Sequence, residues 1–349
     1  MKTIVTLIIT LFVSLFPFAD GNMEERENAP DFLVYTETDD GVTIDGLTDE
    51  NISSVTVPEK INGKNVVEIK SEAFAFNAAL TEVFLPSTLK KIGKGAFSGC
   101  AALRRIKIPF TGDSAKSPQD KRLYPFGYIF GEKKYIGGQR ITQYYRLDRY
   151  DEVTSSDYYI PETLETVEID GECNYIPNEA FYNCSSLKKI IIGKNVTDIG
   201  EFAFSGCVAE ISWKDPTITT IGENAFADYK GTSLTIPEGV EKIEKGGYGA
   251  CENVKSFTMP DSLEEIGVFV FAYCYTLKEV CFGQNTKKIG LCAFYFCIAL
   301  NKIELNENLE EIEENSFDSC KAIEIITLPT GLKKLLQNVF YKCNNLSSV

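Results

Sequence analysis

The chain has 349 residues, of which 44% are hydrophobic and 24% charged. That is a globular composition on a chain too long for one hydrophobic core, so it predicts several domains or a repeat array. It contains no histidine, which excludes Ser-His-Asp and Cys-His nucleophilic sites and zinc proteases of the H-E-x-x-H type. Its 35 basic and 50 acidic residues leave a net charge of -15, which argues against nucleic acid or anionic lipid as a partner, because phosphate contacts need concentrated Lys and Arg.

Residues 1–21 read as a secretory signal peptide. Lys2 supplies the early positive charge, an apolar run covers 4–18, and the small residues Ala19 and Gly21 precede Asn22. The run is short for a membrane span, which needs roughly 20 apolar residues. Once it is removed, a chain with no membrane insertion is expected, secreted or held at the cell surface. Residues 22–49 form an acidic leader and an N-terminal cap. Within them, 31–49 alternate like two short strands around Asp39-Asp40-Gly41, a β-hairpin signal, and solenoid ends need covering.

From residue 50 to 349 the sequence repeats. Ala-Phe or a variant recurs at Phe74, Phe97, Phe181, Phe204, Phe226, Phe271, Phe294, Phe317 and Phe340, with Tyr248 standing in once; the spacing is 23 residues, with two of 22 and one of 84. In eight of the ten units a Cys follows the aromatic by three: Cys100, Cys184, Cys207, Cys251, Cys274, Cys297, Cys320 and Cys343. Asn77 and Tyr229 take the other two places. A strand-like L-x-x-I-x-I/L precedes the next unit. A fixed period with apolar residues in phase means a solenoid, because each unit can bury its apolar edge only by stacking. Parallel strands should pair between coils at about 4.8 Å. The Ala-Phe-x-x-Cys segment should turn the chain back as irregular or short helical structure, with Phe and Cys inward.

The stretch Leu80-Thr81-Glu82-Val83-Phe84-Leu85-Pro86-Ser87-Thr88-Leu89-Lys90-Lys91-Ile92-Gly93-Lys94-Gly95-Ala96-Phe97-Ser98-Gly99-Cys100 carries the unit in full. It resembles the leucine-rich repeat of the BspA-like class, and the likeness covers about 50–109 and 160–349. It implies a β-rich leucine-rich-repeat solenoid with no cofactor and no enzymatic activity. It also implies an exported or surface protein that binds host or microbial surface proteins, in some members as an adhesin. No adhesive residue transfers, because the shared motif is the core.

The solenoid is interrupted at 110–159. Eleven aromatics fall there, with eight Lys/Arg against seven Asp/Glu, so the rest of the chain carries the negative excess. Tyr and Arg are enriched where proteins meet partners, and insertions map to one face of a solenoid. The insertion reads either as a contact platform, with Tyr144 and Tyr145 as candidates, or as a small subdomain packed on the adjacent coil. Tyr-Pro-Phe-Gly-Tyr-Ile-Phe at 124–130 favours the second, as a packed hairpin.

The eleven cysteines include an odd one, so at least one thiol is unpaired. The in-phase eight are expected to form an inward, reduced column of small apolar residues. Metal binding is the weaker reading, since no histidine is available and structural zinc prefers paired C-x-x-C clusters. Cys173, Cys281 and Cys292 lie outside the column, with Cys281 facing outward.

The outward position between the two core residues of each strand reads Thr56, Phe84, Lys107, Glu168, Ile191, Ser212, Thr235, Thr258, Cys281, Glu304 and Thr327. Most are small or polar. Phe84 and Ile191 are exceptions near the insertion, beside Arg104, Arg105, Lys188 and Lys189; with Lys107 these are the candidate ligand contacts. A secreted or surface binding protein is therefore expected. The alternatives are a structural spacer in a larger surface assembly and, more distantly, a carboxylate-based glycoside hydrolase. The C-terminus stops inside a strand, which predicts truncation or a covering partner.

Overall fold

The computed structural model describes residues 30–115, 125–146 and 153–349. The signal segment, Tyr124 and Tyr150 lie outside these. Each coil of about 23 residues has three parts: a strand of three or four residues, a second strand of two, and a turn built on the Ala-Phe-x-x-Cys motif. About a dozen such turns stack into a β-solenoid. Among the described residues, no helix is long and apolar enough to cross a membrane.

Strand pairing follows the repeat. Ser54–Thr56, Glu82–Phe84, Arg105–Ile108, Thr166–Ile169, Lys189–Ile192 and Glu210–Trp213 form one six-stranded parallel sheet. Its register aligns Thr56, Phe84, Lys107, Glu168, Ile191 and Ser212 in one row. The neighbouring row of Val55, Val83, Ile106, Val167, Ile190 and Ile211 is buried. Side chains of a strand alternate between faces, so every residue of the outward row follows an inward one.

The turn has one backbone rule. In all ten units the residues two before and two after the aromatic have positive φ, from Glu72 and Phe76 in the first to Asn338 and Lys342 in the last. These left-handed kinks on either side fold the aromatic inward. Glycine takes the conformation without strain at Gly95, Gly99, Gly206 and Gly246. Coils also press closely together: a Cβ on Gly290 would lie 2.7 Å from the Ile266 carbonyl oxygen of the preceding coil.

The turns deliver a continuous pile of rings. Phe181 and Phe204 are 5.3 Å apart at 4°, Phe204 and Phe226 5.0 Å at 7°, and Phe294 and Phe317 5.1 Å at 2°. These rings belong to one buried hydrophobic cluster running from Leu33 to Cys343. The turns are also tied by backbone bonds: Phe181 N donates to Ala203 O at 2.7 Å and Phe271 N to Ala293 O at 2.8 Å.

All eleven cysteines are free thiols. The eight in-phase residues are buried, and their spacing has a structural use. The thiols of Cys100, Cys274, Cys297, Cys320 and Cys343 donate to the carbonyls of Phe74, Tyr248, Phe271, Phe294 and Phe317, the aromatics of the preceding coils, at 3.1–3.2 Å. Each thiol is thus a small apolar filler that also satisfies a buried carbonyl. Burial pushes the Cys100 and Cys207 thiols up to about 12, so they stay protonated and unreactive.

At the N-terminal end, Leu33–Thr38 and Gly41–Leu47 pair antiparallel, with Thr38 opposite Gly41. The second strand then joins Lys64–Ile69 in parallel.

Inside the insertion, the described part of the 124–130 segment, 125–130, is not the hairpin its composition suggested. Phe126–Ile129 is a 3₁₀ turn. Phe97 N donates to Ile129 O and Phe126 N to Ala180 O, both at 2.9 Å. Phe126 stacks 5.0 Å from Phe181, and Phe130 lies 6.3 Å from Phe97. The segment therefore fills the rung left empty by the 84-residue spacing, because an unfilled rung would expose both neighbouring rings. The hairpin of the insertion lies later, at Gly138–Arg146 and Val153–Pro161. Gln143 anchors it from a fully buried position: its Nε2 donates to Ala180 O at 2.9 Å and its Oε1 accepts from Gly127 N at 2.7 Å.

Candidate functional site

The candidate residues fall into two groups. Phe84, Arg105, Lys107, Lys189 and Ile191 are on the outward face of the six-stranded sheet, with Arg104 and Lys188 at the starts of their strands. Phe84 and Ile191 are half-buried and flank the Lys107 and Glu168 strands. The Arg105 guanidinium carbon lies 5.3 Å from the Phe84 ring centroid, a cation–π distance. Tyr144 is elsewhere: its ring packs edge-on to Tyr182, 5.3 Å away, on the Ala-Phe-x-x-Cys turn. Tyr145 pairs with Thr154 in the hairpin, and its side chain lies outside the described residues.

Much of the insertion's aromatic content is interior. Phe110, Phe126, Phe130 and Tyr158 are all buried. The packed-subdomain reading accounts for these four, which leaves them unable to meet a partner. Ile136, which the sequence analysis passed over, is instead almost fully exposed.

The basic residues do not form a free positive patch. At the centre is Glu168, whose side chain is only 6% exposed. Its Oε1 accepts from Lys214 Nζ at 2.8 Å and its Oε2 from Arg105 at 3.1 Å. Lys107 Nζ bridges Asp170 at 2.7 Å and approaches Glu168 at 3.9 Å. Outside this core, Lys188 pairs with Glu165 at 2.6 Å, Arg104 with Glu165 at 3.9 Å, and Lys189 with Glu210 at 3.6 Å. Burial works to raise the Glu168 carboxyl, but hydrogen bonds from Lys214 and Arg105 outweigh it and hold the group below its ordinary value. Asp170 is held low chiefly by its hydrogen bond from Lys107. A glycosidic general acid needs the opposite shift, so Glu168 does not fit that role. The arrangement suits recognition: a guanidinium on an aromatic face, two apolar side chains, and charges fixed in register by one buried carboxylate.

Lys214 and Glu168 were not singled out as site residues from sequence. The signal was there, since Glu168 is the one acidic residue in the outward row between Lys107 and Ile191. Its burial arises from three neighbouring coils and is invisible in any one of them. A second surface was also missed. Tyr273, Tyr275 and Ile298 are exposed, with Tyr273 5.5 Å from Tyr295 and 6.0 Å from Phe296. Tyr273 and Phe296 hold the left-handed turn position that Gly99 and Gly206 fill without strain.

Among the described residues, Glu279, Cys281 and Glu304 bring three potential metal-ligating atoms within 4.8 Å of one another. The Lys302 ammonium already pairs with both carboxylates, bonding Glu279 and lying 2.9 Å from Glu304.

Among known families, the model of the BspA-type leucine-rich repeat region matches with six copies, over residues 48–117, 152–275 and 266–349. No curated protein matches. Among solved structures, a leucine-rich repeat protein from Bacteroides ovatus is 22% identical over 92% of this chain and 93% of its own, with a TM-score of 0.41. A leucine-rich cell surface protein from Faecalibacterium prausnitzii is 21% identical over 91% and 93%, with a TM-score of 0.36. The pneumococcal vaccine antigen PcpA is 18% identical over 82% and 79%, with a TM-score of 0.32. The repeated turn, its inward ring and thiol, and the family match over most of the length give one conclusion: the chain belongs to the BspA-type leucine-rich repeat family.

Proposed function

We propose that this protein is a secreted or cell-surface, non-enzymatic binding protein, adhesin-like, that meets protein partners through the outward face of its six-stranded sheet. One observation carries the reading: Phe84 and Ile191 remain half-exposed beside the Arg105, Lys107 and Lys214 cations, which Glu168 and Asp170 hold in place. Apolar and guanidinium groups held rigidly lose little entropy on contact, which favours them as anchors. Residues 1–21 support export and the turn of the insertion supports a rigid platform. The hairpin over 33–47 is read as the cap of the first coil, within the division into leader, cap and interrupted solenoid.

The test is to replace Phe84 and Ile191 by Ala together, with Tyr144→Ala as a separate variant on the turn face. Binding of the mature chain to host and microbial surface extracts is expected to fall at least tenfold for the pair, with the melting temperature little changed, and much less for Tyr144→Ala. Unchanged binding by the pair overturns the assignment of this face.

The C-terminal coils favour a second reading, a rigid spacer. There Glu264, Lys287, Glu310 and Lys333 alternate in sign from coil to coil, with Lys287 on Glu264 at 2.9 Å and Lys333 on Glu310 at 2.8 Å. Such a ladder stiffens a rod without requiring a ligand.

A further inference from the structure

Among the described residues, the strand side of the solenoid is interrupted in two places that no long insertion explains, after Glu210–Trp213 and after Lys302–Glu304, and the first leaves a groove. The six-stranded sheet ends at Glu210–Trp213, and a separate three-stranded sheet begins at Ser256–Thr258. The coil between them, 233–236, belongs to neither. On the adjacent side the pairing stops at the same level, after Lys242–Ile243 and before Glu265–Ile266. The aromatic turn carries through, with Tyr248 N donating to Val270 O at 2.9 Å and Ala250 N to Ala272 O at 2.8 Å, and Ser262 Oγ joins the coils by accepting from Gly239 N at 3.1 Å and donating to Val240 O at 2.7 Å.

Residue count does not cause the break, since Ile211 follows Cys207 by only four residues and still pairs with Ile190, and the second ladder pairs through both 22-residue steps, Ile199 to Ile221 to Ile243. Two large aromatic side chains mark it. Tyr229 replaces the thiol, and its hydroxyl lies 2.7 Å from Ala209 O and 3.1 Å from Ser233 O, its one proton shared between the two carbonyls. On the far side, Phe257 holds a core position that is Val or Ile in most other coils. Its ring lies 5.4 Å from Tyr248 and 4.8 Å from Phe271, so it spreads the strand side.

A groove of about 320 Å³ results, lined by Ser233, Thr235, Glu238, Lys255, Ser256 and Thr258 among others. It is at the lower end of ligand-pocket size. Its far wall is an open edge. Lys255 O accepts from Lys278 N, and Met259 N donates to Cys281 O, so those groups face the following coil. By the alternation of a parallel strand, the N–H and C=O groups of Ser256 and Thr258 face the groove. Among the described residues, neither these groups nor the amides of 232–236 have a backbone partner.

We propose that this groove is a docking site for an extended polypeptide segment, which adds as a short strand to the open edge of Ser256–Thr258. The occupant follows from the chemistry. Alternating free donors and acceptors match a peptide backbone, the walls carry short hydroxyl side chains beside Leu234, Ile236 and Val254, and Lys255 and Glu238 also line the groove. An open edge is otherwise a liability that proteins cover. The site is a different stretch of the molecule from the Phe84 face, so it stands whether or not that assignment does.

The probe is a capped, fluorescent hexapeptide of alternating threonine and valine, with a counterpart methylated on alternate backbone nitrogens. Anisotropy should show saturable binding of the first and at least tenfold weaker binding of the second. Hydrogen exchange should slow at 254–258 in the full chain when the first peptide is present. Thr258→Pro removes a donor that has no partner in the free protein. It should abolish binding while leaving the melting temperature nearly unchanged, whereas Cys281→Pro, in a paired strand, should lower it clearly. Absence of binding, equal binding of both peptides, or protection elsewhere than this groove overturns the proposal. Phe84→Ala with Ile191→Ala should leave peptide binding intact, which separates this site from the sheet-face assignment.

Discussion

The coils after residue 256 repeat every 23 residues and those between Phe204 and Tyr248 every 22, and the two stretches hold together differently. In the regular stretch the ring, thiol and second-strand layers all run on, although the outward ladder ends at Lys302–Glu304. Phe271, Phe294 and Phe317 stack at 8° and 2°, the thiols of Cys297 and Cys320 tie adjacent turns, and Lys288 bridges Glu265 at 3.1 Å and Glu313 at 2.8 Å. In the shortened stretch the rings still stack, with Phe226 and Tyr248 at 8°, and the second ladder pairs on through Ile199, Ile221 and Ile243, yet the outward ladder stops at Glu210–Trp213. The aromatic turn therefore sets the axis of the solenoid. Sheet continuity is decided separately on the strand side: Ile190 and Ile211 pair across 21 residues, whereas Ile211, Leu234 and Phe257 follow one another at 23 and do not.

Cutting the ring pile is the strongest way to break this comparison. Phe294→Ala should cost about 3–5 kcal/mol, as for a large aromatic removed from a packed core. Phe257→Val, which restores the residue type of neighbouring coils at the break, should cost less than half as much, because the strands can close over the lost volume. Chemical denaturation of both variants checks the ratio. Equal losses would mean that the break is not held open by the Phe257 ring.

A smaller effect is expected at the buried carboxylate of the regular N-terminal sheet. Glu168→Gln leaves Arg105 and Lys214 short of a charge partner and should cost about 2 kcal/mol at neutral pH. The sign with pH follows from the folded state. Glu168 and Asp170 titrate below their unfolded values of 4.5 and 3.8. Their contribution is therefore complete above pH 4.5 and is lost as pH falls through the lower folded values. Denaturation midpoints measured at pH 7 and pH 3 should differ more for the parent chain than for Glu168→Gln.

The smallest expected effect is on the exposed ladder. Lys288→Glu places a third consecutive carboxylate between Glu265 and Glu311 and should cost about 1 kcal/mol at low salt, shrinking as salt is added. A salt-independent loss would show that packing of the lysine stem matters more than its charge.

The solenoid, the inward ring and thiol, and the outward row were legible because each recurs in phase: Thr56, Phe84, Lys107, Glu168, Ile191 and Ser212 were aligned by counting and are aligned by register. The 3₁₀ turn at Phe126–Ile129 was not. Its local composition suits a hairpin, and only the vacant rung between Phe97 and Phe181 selects the turn. Nor was it legible that Arg104, Lys188 and Lys189 would each meet a carboxylate, since Glu165 and Glu210 lie on other strands.

Periodicity by itself determined that coils stack, which side chains face in, and where the count fails, because a repeat converts spacing along the chain directly into neighbours across it. The tertiary structure alone decided how the exceptions are absorbed: Phe126 completing a rung, Tyr229 setting its hydroxyl between two strand-side carbonyls, Phe257 packing against the rings of Tyr248 and Phe271. Each of these depends on the volume and hydrogen-bonding left over by adjacent coils, and no single segment of sequence contains that information.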